Sequence, residues 1–301
     1  MNFKKMLLGL AALSTIISVT GCKKVDEPPA ETTLPVITQM TTAAETTAVT
    51  TESTAAETVR EPLVPLERFA ETLEKYPEVA GHITVPGTNV DYDFVQTTDN
   101  EFYMYRDMDG NDDKRGTIFL DFRCKFNDYS DMQSDNIILH GHNMADLSMF
   151  GSLKNYKIKH SDTSNFSFYL DHPTFTVSNL YEEYTYKIIA VFVIEVEEWQ
   201  TRDGVIFDYH NYVNFTKKRS FNDWIENVNK RSQIITGVDV NKDDKFITLN
   251  TCSNEFNNSR FVTIARRVRD GESAEVDTSK AMLNEDALEP DWSYIYDVAG
   301  N

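Results

Sequence analysis

Apolar and polar residues recur with two different periods along most of this chain, and two stretches carry neither. Leu66, Phe69, Ala70, Leu73 and Tyr76 fall three and four residues apart, which predicts an amphipathic helix ending before Pro77. Short runs rich in β-branched and aromatic residues follow. They cover Ala80 to Val85 and Val90 to Val95 around a Pro-Gly turn, then Thr117 to Phe122, Asn136 to His140, Thr174 to Leu180 and Tyr184 to Val196. A helix is expected from Asp146 to Lys157. Another is expected over Ser220 to Ser232, where Phe221, Trp224, Ile225 and Val228 share a face and Ser220 suits the N-cap. Lys245 to Thr251 reads as a mostly buried strand, and Phe261, Val262, Ile264 and Val268 as its return, across a loop rich in Asn and Ser. Strands dominate without strand–helix–strand alternation, so the expected fold is mainly β, a closed barrel with helical insertions.

The first patternless stretch is the N-terminus. Lys4 and Lys5 precede an apolar run from Met6 to Val19, which is short against the roughly 20 residues of a membrane span and fits a secretory leader. Val19-Thr20-Gly21-Cys22 then resembles a bacterial lipobox, which makes Cys22 the lipidated first residue of the mature chain, the alternative being a signal-anchor helix kept in the membrane. The second, Asp26 to about Arg60, is a Thr/Ala/Glu/Pro tract without aromatics. It cannot bury enough surface to offset its ordering entropy, so it reads as a flexible tether. Such a tether reaches on the order of 35 Å. Expected divisions are a leader over 1–22, a tether over 23–62, a folded domain over 63–268 and an acidic extension over 269–301. Whether the extension packs or hangs free is open at this point.

Composition changes the picture in two ways. A net charge of −19 lacks the clustered Lys and Arg that a nucleic-acid partner requires, so none is expected. Three cysteines in an exported chain do not make a disulfide framework, and with Cys22 lipidated only Cys124 and Cys252 remain. Cys252 ends a strand, with Arg260 beyond the following loop. Thiol and guanidinium there resemble a nucleophile beside an anion stabiliser, and they are equally compatible with a buried free cysteine beside a surface arginine.

Elsewhere, Asn136 to His140 runs into His140-Gly141-His142. Two histidines so spaced lack the third and fourth ligands a metal needs, so no metal and no cofactor is expected. Asp107 to Asp113 imitates part of a calcium loop, but its glycine is misplaced and no glutamate closes it. His82, His160, His172 and His210 have no strand-end setting and are read as surface residues.

Leu139-His-Gly-His-Asn-Met144, then Thr248-Leu-Asn-Thr-Cys252, then Arg260-Phe-Val262, taken in that order, resemble a sortase. Val85-Pro-Gly-Thr-Asn-Val-Asp-Tyr92, Gly116-Thr-Ile-Phe-Leu-Asp121 and Met149-Phe-Gly-Ser-Leu153 match too. The first helix, and the helix before the cysteine strand, point to class B. The resemblance runs from about Leu66 to Val268 and implies the eight-stranded sortase barrel. It also implies a membrane-tethered cysteine transpeptidase, a thiol peptidase in class, on the outer face of the membrane toward the cell wall. Its expected partners are secreted proteins bearing a sorting signal and an amine acceptor in peptidoglycan or a pilin. By the same resemblance Cys252 is the nucleophile, His142 the general acid and base, and Arg260 the oxyanion and substrate stabiliser. His140 is either a wall of the site or structural.

The chain departs from the family's pattern in three places. Asn250 stands where serine is common, the anchor is a lipobox rather than an uncleaved helix, and the chain continues past the barrel. Two other classes remain. An L,D-transpeptidase-like or other extracellular cysteine peptidase would place its thiol in a Gly-Cys context, which is absent here. A noncatalytic surface lipoprotein would leave Cys252 unreactive.

Overall fold

Strands with apolar side chains on both faces need cover on both, and here a closed sheet provides one face and outlying elements the other. The computed structural model describes residues 60–159 and 162–299. Cys22, the leader and nearly all of the tether lie outside them. The strands are β1 (Val79–Thr84), β2 (Asp91–Val95), β3 (Phe119–Leu120), β4 (Asn136–His140), β5 (Thr174–Ser178), β6 (Glu183–Ile194), β7 (Ile234–Ile235), β8 (Phe246–Cys252), β9 (Arg260–Arg267) and β10 (Met282–Leu283). The helices are α1 (Ala70–Lys75), α2 (Phe166–Asp171), α3 (Lys218–Arg231) and α4 (Trp292–Ala299). Eight strands close in the order β1-β2-β3-β4-β8-β9-β6-β5, the expected eight-stranded barrel, while β7 and β10 form a separate pair.

The β8 strand shows why period 2 did not read there as polar alternation. Ile247 and Leu249 face the barrel core with Ile138, Leu139 and Phe261. Phe246, one residue out of phase, packs outside the barrel with Phe221, Trp224, Val228, Val262 and Ile264. The three α3 residues stand at i, i+3 and i+7 and lay one helix face over β6, β8 and β9. Trp224 is fully buried. Outside the other end of the sheet, Phe69 packs with Val79, Val95, Tyr103 and Phe119, so the first helical segment covers β1, β2 and β3.

Three local expectations are corrected. Asp146 to Lys157 is not an α-helix but a looped segment that tightens into a 3₁₀ turn over Gly151–Tyr156. Leu147 and Met149 sit at positive φ, and the Asp146 carboxylate accepts from the Ser148 backbone and hydroxyl, a turn that competes with helix. The α3 helix starts at Lys218, so Ser220 is its third residue, with its hydroxyl donating to the Lys217 carbonyl 2.7 Å away. Of the histidines read as surface, His160 lies outside the described residues and the others are half-buried. His82 is held between Asp93 at 2.7 Å and Asp91 at 2.8 Å.

The segment after β9 packs on the barrel. Its β10 strand pairs with β7, and Glu272 bridges Lys187 and the fully buried Arg266, both Arg266 contacts being 2.6 Å. Hydrogen bonds from Arg266 outweigh burial and hold Glu272 well below the usual carboxylate range. A depressed pKa of this kind contributes stability that is complete above the unfolded value of about 4.3 and is lost as pH falls below it. Removing the carboxylate strands two cations, one fully buried. Glu272→Ala is therefore expected to cost about 3–5 kcal/mol, seen as a lower urea midpoint at pH 7 with an unchanged slope. The gap between variant and native should narrow below about pH 4, where Glu272 of the unfolded chain takes up a proton while the folded carboxylate stays ionised.

Candidate active site

Register brings the singled-out residues together. The β4 and β8 strands run parallel, with partners from Asn136–Phe246 through His140–Asn250. His142 and Cys252 each lie two residues beyond that last pair, so both emerge at the same rim. The β8–β9 hairpin pairs Cys252 with Arg260 directly. All three line one cavity of about 440 Å³, with Met104, Tyr105 and Phe119 among its walls.

The His142 loop is held from several sides. Gly141 permits a close approach, since a Cβ there would lie 2.7 Å from the Phe150 ring. Asn143 donates its amide to the Cys252 carbonyl at 2.8 Å, tying the two strand ends together. His142 Nε2 lies 2.7 Å from the Met104 carbonyl, and its ring is 5.3 Å from that of Tyr105. A carbonyl only accepts, so the Nε2 proton is committed and Nδ1 is the nitrogen left to exchange one.

The two described thiols have opposite surroundings, and both are free. Cys124 is buried, and burial pushes it up to about 12. Cys252 is half-buried at the cavity edge. Beside it the buried Thr251 hydroxyl has no hydrogen-bond partner. Arg260 donates through Nη1 to the carbonyls of Asn258 at 2.9 Å and Ser259 at 3.2 Å. The loop that carries those carbonyls turns through Asn254 and Asn258 at φ of 66° and 58°, the left-handed region that Asn tolerates better than most residues.

Behind these three runs a polar chain the sequence reading largely missed. The Tyr209 hydroxyl donates to Asn250 Oδ1 at 2.6 Å, so Asn250 Nδ2 donates to His140 Nδ1 at 2.9 Å. His140 Nε2 then donates toward Asp121 at 3.4 Å. The sequence of donors and acceptors assigns His140 the tautomer protonated at Nε2. Asp121 is buried and also takes Asn100 and two guanidinium nitrogens of Arg123. Burial raises its pKa, but hydrogen bonds from His140 and Arg123 prevail and hold it well below the carboxylate range. His210 stacks on His140 with centroids 5.8 Å apart, and burial pushes it down to about 3. Strand period placed Asn250 and His140 on the same faces as Cys252 and His142, a signal that was available. Nothing in the sequence linked Asp121, Tyr209 or His210 to them.

No protein-family model matches the chain. Sortase B of Listeria monocytogenes is 30% identical over 178 residues, covering 59% of this chain and 64% of that protein. The match thus spans just under two thirds of that relative. Sortase B of Staphylococcus aureus is 27% identical over 202 residues, 66% of this chain and 74% of that protein. The solved structure of a Staphylococcus aureus sortase B–substrate complex aligns with a TM-score of 0.54 at 26% identity, covering 66% of this chain and 84% of that one.

The contrast between the thiols has a direct readout. Brief iodoacetamide treatment of the native protein at pH 8 should modify Cys252 and leave Cys124 intact, with Cys124 labelled only after unfolding in guanidinium. Peptide mass mapping reads both sites. Equal labelling of the two in the native state would contradict the burial of Cys124.

Proposed function

The chain belongs with the class B sortases in sequence and fold, and from that premise we propose that it is a cysteine transpeptidase working on the outer face of the membrane. The observation that carries this reading is the convergence of Cys252, His142 and Arg260 on one cavity from three neighbouring strands. As the proposed nucleophile, Cys252 Sγ attacks the carbonyl carbon of a threonine in a sorting signal. His142 gives a proton to the departing amine and leaves the threonine acyl group on sulfur as a thioester. An incoming amine then loses its proton to His142 and displaces the thiolate, which restores the enzyme. With Nε2 engaged by Met104, Nδ1 is the nitrogen assigned to this shuttle. Arg260 stands on the strand beside the thiol, where its permanent charge suits an oxyanion or the bound peptide.

The acceptor is proposed to be an amine of peptidoglycan or of a pilin. Residues 1–22 are proposed as a leader ending at a lipidated Cys22, 23–62 as the tether, 63–268 as the catalytic barrel and 269–301 as its extension. No helix among the described residues is long and apolar enough to cross a membrane; on this reading the membrane is held through Cys22, which lies outside them. Mass spectrometry of the mature N-terminus should find a thioether-linked diacylglycerol on Cys22.

Incubation with threonine–glycine sorting peptides and a glycine-peptide amine should yield a cleaved peptide, a ligated product and a trapped acyl-enzyme on Cys252. Cys252→Ala and His142→Ala should abolish ligation. Arg260→Ala is expected to lower kcat by about 10²–10³, as loss of an oxyanion donor does, and Arg260→Lys should recover little of it. A native protein indistinguishable from Cys252→Ala across these peptides would remove the transpeptidase reading.

A further inference from the structure

The loop from Ser253 to Ser259 joins Cys252 to Arg260, and its carbonyls at Asn258 and Ser259 receive the Arg260 guanidinium. Where this loop sits therefore sets where that charge sits. One flank is held by the segment after β6. There Gln200 Nε2 donates to the Asn257 carbonyl at 2.6 Å, and Asn258 reaches Glu197. Near its start, Lys157 contacts both Glu255 and the Ser253 carbonyl.

The other flank is held by the far C-terminus. Trp292 meets the Phe256 ring edge-to-face with centroids 5.6 Å apart, and the Tyr296 hydroxyl donates to the Glu255 carbonyl at 3.2 Å. The α4 helix is itself anchored by the fully buried Ile295 and by Asp291, which pairs with Arg202 at 2.6 Å. The same arginine lies over Tyr294 at 4.9 Å. Arg202 follows Gln200 by two residues, so α4 grips both sides of the loop's cradle.

We infer that α4 is a brace for the β8–β9 loop, with Trp292 and Tyr296 as positioning residues that hold Arg260 in register with Cys252. The inference rests on the transpeptidase reading for its kinetic consequence and not for its structural one. An aromatic edge contact on a partly exposed loop removes loop conformers without touching the reacting atoms. Its loss should therefore lower kcat and spare the KM for the acceptor amine. Displacement of a catalytic group by about 1 Å can cost up to about 10²-fold in rate.

The test uses the full-length chain and its Trp292→Ala, Trp292→Phe and Tyr296→Phe variants. Hydrogen exchange by mass spectrometry follows residues 253–259 against β4 and β6, and ligation of a threonine–glycine peptide to triglycine supplies kcat and KM. In Trp292→Ala, exchange over 253–259 should quicken at least about tenfold with β4 and β6 unchanged. The same variant should lose about tenfold or more in kcat at constant KM for triglycine. Trp292→Phe, which keeps an aromatic edge, should return both readings most of the way, and Tyr296→Phe should show a smaller loosening. Unchanged exchange over 253–259 in Trp292→Ala would overturn the brace. So would faster exchange spread evenly over β4 and β6, or failure of Trp292→Phe to recover either reading. If the native chain ligates nothing, the transpeptidase reading fails while the exchange result still decides whether α4 braces the loop.

Discussion

The pairing of β4 with β8 is the constraint on which the rest depends. These strands are parallel, and parallel neighbours cannot be joined by a hairpin, so a long crossover must separate them. Here the hydrogen-bonded pair His140 and Asn250 is 110 residues apart in sequence. That crossover contains β5, β6 and α3, the elements that close the barrel and cover its outer face. His142 and Cys252 consequently come to one rim only once this long-range pairing has formed. The site is thus a product of non-local topology, which ties its chemistry to the integrity of the entire barrel and predisposes the chain to slow folding.

A parallel pair between two largely buried strands needs something to fix its register, because hydrophobic contacts alone tolerate slippage. Polar side chains supply that here. Thr248 donates its hydroxyl to Asn136 Oδ1 at 3.0 Å, and two residues further Asn250 donates to His140. The first contact is buried and the second partly so, across the same strand pair, and a one-residue slip would leave their donors and acceptors unpaired at a cost of about 1–3 kcal/mol each. Tyr209 and Asp121 then satisfy the outer ends of the His140–Asn250 pair. Asn250, where the resembling family commonly carries serine, is explained by this arrangement. An amide can accept from Tyr209 and donate to His140 at once, over a span that a hydroxyl on a shorter side chain would not cover.

How much was legible in the sequence follows from the range of each interaction. Strand positions came through because β-branched and aromatic runs act locally, and the mainly β barrel followed from their number and order. That Cys252, His142 and Arg260 gather on one cavity was legible because each stands at or just past a strand end in a recognisable string. Ser220 as a cap and the helix over Asp146 to Lys157 were misread for local reasons. An extra turn at Lys218 displaced the cap, and an Asp146 turn with Leu147 and Met149 at positive φ overrode helical spacing. His210 was misread for a non-local one, since its segment lies against β4, where the His140 ring stacks on it. The acidic character of the last thirty residues left open whether they pack on the barrel or hang free. Glu272, however, is acidic because Arg266 and Lys187 need an anion beneath them.

The same economy of contacts bears on Arg260. Its guanidinium already donates to two carbonyls of its own loop, so in the proposed role a substrate oxygen would be met by the remaining face of the fork. A lysine has one nitrogen on a flexible stem and would have to choose between loop and substrate, whereas a planar guanidinium can hold both directions at once. Loop geometry and charge placement therefore cannot be separated in this site. Any element that steadies the Ser253–Ser259 segment, from Gln200 on one side to Trp292 on the other, acts on the position of the Arg260 charge.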